Sequence, residues 1–95
     1  MITDMLRFAI KEGYVPEAIT LMKTQTQETL NDDGCLVSKA FQSRANPNCI
    51  YMLLCWEDQA AIDKHLASEH DLKFREGLDP LLASPPEFFE WDEIV

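Results

Sequence analysis

Residues 49–56 read CIYMLLCW, with no charged side chain and no polar alternation. In an extended strand, successive side chains point to opposite faces. Ile50, Met52, Leu54 and Trp56 therefore form one row, and Cys49, Tyr51, Leu53 and Cys55 the other. Both rows are largely apolar, so the strand needs cover on both sides. The helices of one small domain can supply only one of these covers, since a chain of 95 residues buries only about 60–65% of its unfolded surface.

The flanking sequence supplies that first cover. TDMLRFAIK (3–11) alternates loosely and predicts a first strand ending at Glu12-Gly13. Pro16 suits a first helical turn, and Ala18, Ile19, Met22, Thr26 and Leu30 then fall on one helical face. NDDG (31–34) stops the helix, with Gly34 available for a positive φ. CLVSKAFQS predicts a second strand, RANPN a turn, and CIYMLLCWE the third strand. Asp58 can cap a helix beginning in QAAIDKHLA, with helical patterning to about Gly77; DPLLA adds a short turn and FFEWDEIV a fourth strand.

The order β-α-β-β-α-β is the ferredoxin-like split unit, an α+β fold whose antiparallel sheet carries both helices on one face. A single domain spanning 1–95 is expected. The second apolar row of strand three then lies on the open face, and no segment after strand four is expected to cover it. The prediction is a homodimer with its sheets face to face, stabilised at roughly 25 cal/mol per Å² of apolar area buried, before the costs of association.

Charge narrows the partners. Seventeen acids against eight bases give a net charge of −9, and the bases are scattered along the chain. Nucleic acid and anionic membranes are not expected partners. Cys35, Cys49 and Cys55 form no CxxC pair, and Cys49 and Cys55 on one strand would stand about 20 Å apart, too far for a disulfide. A reduced, cytoplasmic protein is expected. The opening MITDMLRFAIKEGY carries Asp4 and Arg7 inside its only apolar stretch, unlike a signal peptide, and no apolar run is long enough to span a bilayer.

The two histidines, His65 and His70, lie in WEDQAAIDKHLASEH (56–70). Five residues on a continuous helix turn them about 140° apart. A straight helix would also bring Glu69 onto the apolar face of Ile62, His65 and Leu66. A restart at Ser68 removes the conflict: SEHD has the form of a capping box, in which Ser68 accepts from the Asp71 N–H and the Asp71 carboxylate reaches back. His70, Phe74 and Leu78 then form the inward stripe of the second half, and each half turns its histidine towards the sheet. The spacing does not match the one-turn pair of a zinc helix, so no metal is expected.

The stretch from Asp33 to about Glu87 resembles the antibiotic biosynthesis monooxygenase (ABM) family, the quinol monooxygenase-like members of the dimeric α+β barrel superfamily. The resemblance is carried by Trp56, Asp58, Ala61, His65, Ser68 and His70 in the pattern W-x-D-x-x-A-x-x-x-H-x-x-S-x-H, with Gly34-Cys35 before it. It implies a homodimeric barrel with a pocket between sheet and helices. It further implies oxidation of a small phenolic, quinol or anthrone-type aromatic by molecular oxygen, without flavin, haem or metal. On that reading His65 is the first choice as base and His70 the second, and Trp56 packs on the ring or donates its indole N–H. Arg7 or Arg75 would stabilise an anion, and Tyr51 and Phe74 would complete the substrate pocket.

Two departures stand out. Many relatives have glutamate where this chain has Leu54, and Leu6, His65 and Arg75 occupy the places of the residues on which haem-degrading relatives rely. Haem is therefore not expected. Isomerisation of a small phosphorylated signalling molecule and non-catalytic binding of a small ligand by a dimer are the two other readings.

Overall fold

The computed structural model describes residues 1–95. Its strands form where the sequence alternates or runs apolar: β1 (Ile2–Ala9), β2 (Cys35–Gln42), β3 (Cys49–Trp56) and β4 (Glu87–Asp92). All pairings are antiparallel, and the sheet order is β2-β3-β1-β4. Helices α1 (Val15–Leu30), α2 (Gln59–Leu66) and α3 (Glu69–Leu78) pack on one face, with a short 3₁₀ turn at Asp79–Leu81. This is the expected ferredoxin-like α+β arrangement. No helix is long and apolar enough to cross a membrane.

The even row of β3 meets the helices, with Ile50, Met52, Leu54 and Trp56 all buried. Phe8, Met22, Phe74 and Leu78 join Ile50 and Met52 in the main core, while Trp56 centres a smaller cluster with Leu54, Ala61 and Ile62. Register places Asp4, Leu6 and Phe8 of β1 and Phe88 and Glu90 of β4 on this same face. The odd rows form the other face. There Phe89 and Trp91 stack at 5.8 Å and remain 42% and 47% exposed, and Phe41 is similarly exposed. No element of the chain covers this face, as the two-sided apolarity of β3 predicts.

The inward stripe of α1 differs from the sequence expectation. It is Ala18, Met22, Gln25 and Thr29, whereas Leu30 is exposed. The stripe is rotated because Gln25 finds two partners, the buried Asp71 and the partly buried His70, and a polar side chain so satisfied can enter the interior.

Gly34 fixes how α1 returns to the sheet. Its φ is +79°, and an added Cβ would lie 2.6 Å from the Ala61 Cβ on α2. Backbone conformation and close approach both require glycine here. Gly34→Ala should destabilise the fold by about 1–3 kcal/mol, seen as a lower urea midpoint with unchanged slope. An unchanged midpoint would mean that the turn and α2 separate at no cost.

Candidate active site

The restart between α2 and α3 organises the site. Ser68 is extended (φ −72°, ψ 150°), and its Oγ accepts from the Asp71 N–H at 3.3 Å and donates to the His65 carbonyl at 2.6 Å. The capping box is only half made. The Asp71 carboxylate does not return to Ser68 but turns inward, where it is 6% exposed.

A closed ring of polar side chains results. His65 Nδ1 meets Asp32 Oδ2 at 2.6 Å, and His65 Nε2 meets Asp71 Oδ1 at 3.3 Å. Gln25 Nε2 donates to Asp71 Oδ1 at 3.0 Å, so its Oε1 accepts from His70 Nδ1 at 3.0 Å. His70 Nε2 lies 2.9 Å from both oxygens of Asp32, which closes the ring. Its members come from α1, the turn after it, the end of α2 and the start of α3.

Burial alone would lower the pKa of His65. The hydrogen bonds to Asp71 and then to Asp32 outweigh it, so the net shift is upward. Both ring nitrogens face carboxylates, and neither has a free lone pair to offer a substrate. In this arrangement the geometry of His65, expected from the sequence as the first choice of base, suits it to hold Asp71.

Asp71 forms part of a cavity of about 290 Å³ between the sheet and α3. Leu6, Phe8, Met52, Leu54, Ile62, Phe74, Leu78 and Phe88 give it apolar walls, and Asp4, Gln25, His65, Asp71, Arg75 and Asp79 are among its polar groups. Its size is at the lower end of the range for small-molecule sites. A larger depression of about 460 Å³ runs between α1 and α3 beside His70, but only two of its eight lining residues are hydrophobic. Of these two, the first cavity has the more apolar walls.

Asp4 is the second carboxyl group of this cavity. It is 4% exposed, and its Oδ1 has no hydrogen-bond partner. Burial first, then its cross-strand neighbour Glu90, pushes its pKa up to about 7. The Trp56 indole N–H is near enough to oppose this rise, but Nε1 does not reach hydrogen-bonding geometry.

Of the residues singled out in the sequence, His65, Phe74 and Arg75 line the cavity. Arg75 Nε stands 3.0 Å from Asp71 Oδ2. His70 belongs to the polar ring but faces α1 rather than the sheet or the cavity, because Gln25 and Asp32 claim both its nitrogens. Trp56 is fully buried behind His65, ring centres 4.9 Å apart, and does not line the cavity. Arg7 and Tyr51 are on the opposite face of the sheet, where Arg7 donates to the Tyr51 hydroxyl at 3.2 Å, Cys49 Sγ at 3.1 Å and Glu87 at 2.8 Å. The reason is strand parity: odd positions of β1 pair with odd positions of β3.

Sequence reasoning missed Asp4, Gln25, Asp32 and Asp71. For Asp4 a signal existed, since it shares the parity of Phe8 on β1 and so places an acid in an inward row. Gln25, Asp32 and Asp71 gave none, because their pairing needs contacts between distant segments.

The model of the antibiotic biosynthesis monooxygenase family matches residues 1–77. Among solved structures, the chain is similar to an antibiotic biosynthesis monooxygenase at 20% identity, covering 100% of both chains with a TM-score of 0.94. It is similar to a conserved protein from Methanosarcina mazei Go1 at 27% identity, covering 98% of this chain and 92% of that one (TM-score 0.93). Rv0793 from Mycobacterium tuberculosis is 19% identical over 99% of this chain and 95% of its own (TM-score 0.93). A search of curated proteins found no match.

The raised pKa of Asp4 has a consequence for stability. The folded chain holds this proton more tightly than the unfolded chain, so the stabilisation is complete below the ordinary value of 3.8 and is lost as pH rises through about 7. Asp4→Asn removes the titration while keeping the shape. Between pH 5 and pH 8 the parent Tm should fall further than the variant's; equal falls would place the Asp4 pKa near its ordinary value.

Proposed function

This chain belongs to the antibiotic biosynthesis monooxygenase family, and from that premise we propose that it is a cofactor-independent monooxygenase. Its substrate would be a small phenolic, quinol or anthrone-type aromatic, oxidised by molecular oxygen. The single observation that carries the reading is Asp4, a buried carboxyl group with an unpartnered oxygen in a cavity whose walls are mostly apolar.

A carboxyl group that titrates near neutrality is matched to removing a phenolic proton at neutral pH. The apolar walls keep the resulting anion away from water, where it can give an electron to oxygen. Recombination forms the new C–O bond. One oxygen atom stays on the ring as a carbonyl, and the other leaves as water with two substrate hydrogens. Phe74 packs on the ring, and Arg75, shared with Asp71, is the one arginine or lysine at the cavity that can face the anion. His65 acts through Asp71: its Nε2–H holds that carboxylate at the cavity wall.

A phosphorylated substrate is disfavoured. The cavity offers three acids, Asp4, Asp71 and Asp79, against one cation, Arg75, which is already paired with Asp71.

We also propose that the open sheet face joins a second copy, with Phe41, Phe89 and Trp91 at the interface. Three exposed aromatics on one sheet face are an unusual amount of apolar surface to leave in water. Light scattering should give twice 10.9 kDa for the parent, and Trp91→Glu should shift it towards 10.9 kDa. A parent that stays at 10.9 kDa at millimolar concentration would remove the dimer.

Oxygen uptake with a panel of quinols and anthrones tests the chemistry. The parent should consume oxygen, and Asp4→Asn should lower kcat by about 10²–10⁴-fold. Full turnover in that variant would remove Asp4 from the mechanism. A parent that binds these aromatics but consumes no oxygen is a ligand-binding protein instead.

A further inference from the structure

The near nitrogens of both histidines converge on Asp32. We propose that Asp32, His65 and His70 form a binding site for one divalent transition metal of the zinc class, outside the reacting cavity. The inference does not depend on the oxidation chemistry above.

Geometry supports it first. One ligand atom from each of the three residues lies within 4.8 Å of the others, with His65 Nδ1 and His70 Nε2 at 2.6 and 2.9 Å from Asp32 Oδ2. Ligands held tetrahedrally at about 2.0–2.1 Å from zinc stand roughly 3.3 Å apart. The two separations from Asp32 Oδ2 are shorter than that figure, and moving these atoms apart by less than about 1 Å would admit the ion. The two imidazole ring centres are 5.3 Å apart. Two imidazoles on one tetrahedral zinc put theirs at about 5 Å.

The outer partners are the stronger observation. A metal-bound histidine donates its other ring N–H to a carboxylate or carbonyl oxygen, which fixes the tautomer and aims the lone pair at the ion. Both histidines have such a partner. His65 Nε2 faces Asp71 Oδ1 at 3.3 Å, and His70 Nδ1 faces Gln25 Oε1 at 3.0 Å. Both acceptors are buried, with Asp71 6% and Gln25 3% exposed. The Gln25 amide cannot turn over, because its Nε2 is committed to Asp71. With its far nitrogens donating, the histidine pair directs its near nitrogens at one carboxylate, and only a cation or hydrogens can sit between them.

Access and ligand type complete the case. A cleft of about 100 Å³ lined by Asp32, Asp33, Ala61, Lys64, His65 and Ser68, with Lys64 paired to Asp33, gives an ion a route in and room for a water as fourth ligand. Two imidazoles and a carboxylate suit zinc and its first-row neighbours, not magnesium or calcium. The ion would tie the turn after α1 to the joint between α2 and α3. It would lie across the His65 ring from the cavity, so it fastens the wall without entering the chemistry.

Cobalt(II) is a suitable probe because its visible absorption reports coordination directly. Titrating the chelator-treated full chain should show one saturable Co²⁺ per chain with d–d bands of a four- or five-coordinate site. Zn²⁺ should displace it and Mg²⁺ should not. Asp32→Asn and His70→Gln should abolish the signal, with circular dichroism confirming that each variant is folded. Should either unfold, Gln25→Met, which leaves all three ligands in place and removes the outer partner of His70, should weaken Co²⁺ binding about 10–100-fold in the folded variant. No saturable binding at millimolar Co²⁺, or binding unaffected in all the folded variants, would overturn the site.

Discussion

Two acids, two histidines and a glutamine are drawn in from water at one place, and each must find its partner there. The ring Asp32–His65–Asp71–Gln25–His70 meets that demand with contacts of 2.6–3.3 Å. Satisfied, such a network sets one arrangement of the elements that supply it; with one member removed, it leaves a buried group uncompensated, at a cost of about 3–5 kcal/mol for a charged pair. The rotation of α1, the inward turn of Asp71 and the placing of the turn after α1 all follow from closing this ring. Packing does the rest: Trp56 seals the back of His65, and Gly34 lets that turn approach α2 without a side chain between them.

The sheet divides the chemistry by parity. One register step separates Asp4 from Met5 on β1, and with it the cavity face from the open face. Arg7, Tyr51 and Cys49 are thus bound to each other away from the cavity, while Asp4 faces it between Leu6 and the Trp56 cluster. A single acid in an apolar row is costly to ionise, and that cost is what brings its pKa to about 7. The same environment that penalises the carboxylate is what suits it to the role of base in the proposed reaction.

The helical joint shows how far local reading reaches. A straight helix through His65 and His70 conflicts with the apolar stripe, and the conflict is resolved at Ser68 as the S-E-H-D spacing indicates. The direction each histidine takes after the break is not a local matter. His65 turns in because Trp56 offers a flat apolar surface and Asp71 and Asp32 offer acceptors. His70 turns to α1, because Gln25 stands opposite it there.

By itself the sequence determined the order of elements, the ferredoxin-like sheet, the helix restart, the glycine turn at Gly34 and the existence of an uncovered apolar face. Each of these depends on periodicity, capping or backbone freedom within a few residues, and such signals are local. The site is only partly of that kind. His65, Phe74 and Arg75 could be found as inward or near-inward helical positions, and Asp4 by its strand parity. That Trp56 is sealed off, that Arg7 and Tyr51 bind one another on the far face, and that Asp32 and Gln25 complete a ring with His70 were decided by tertiary structure alone. Partners separated by 33 to 46 residues meet only when the helices dock, and no local pattern encodes which buried acceptor a nitrogen will find.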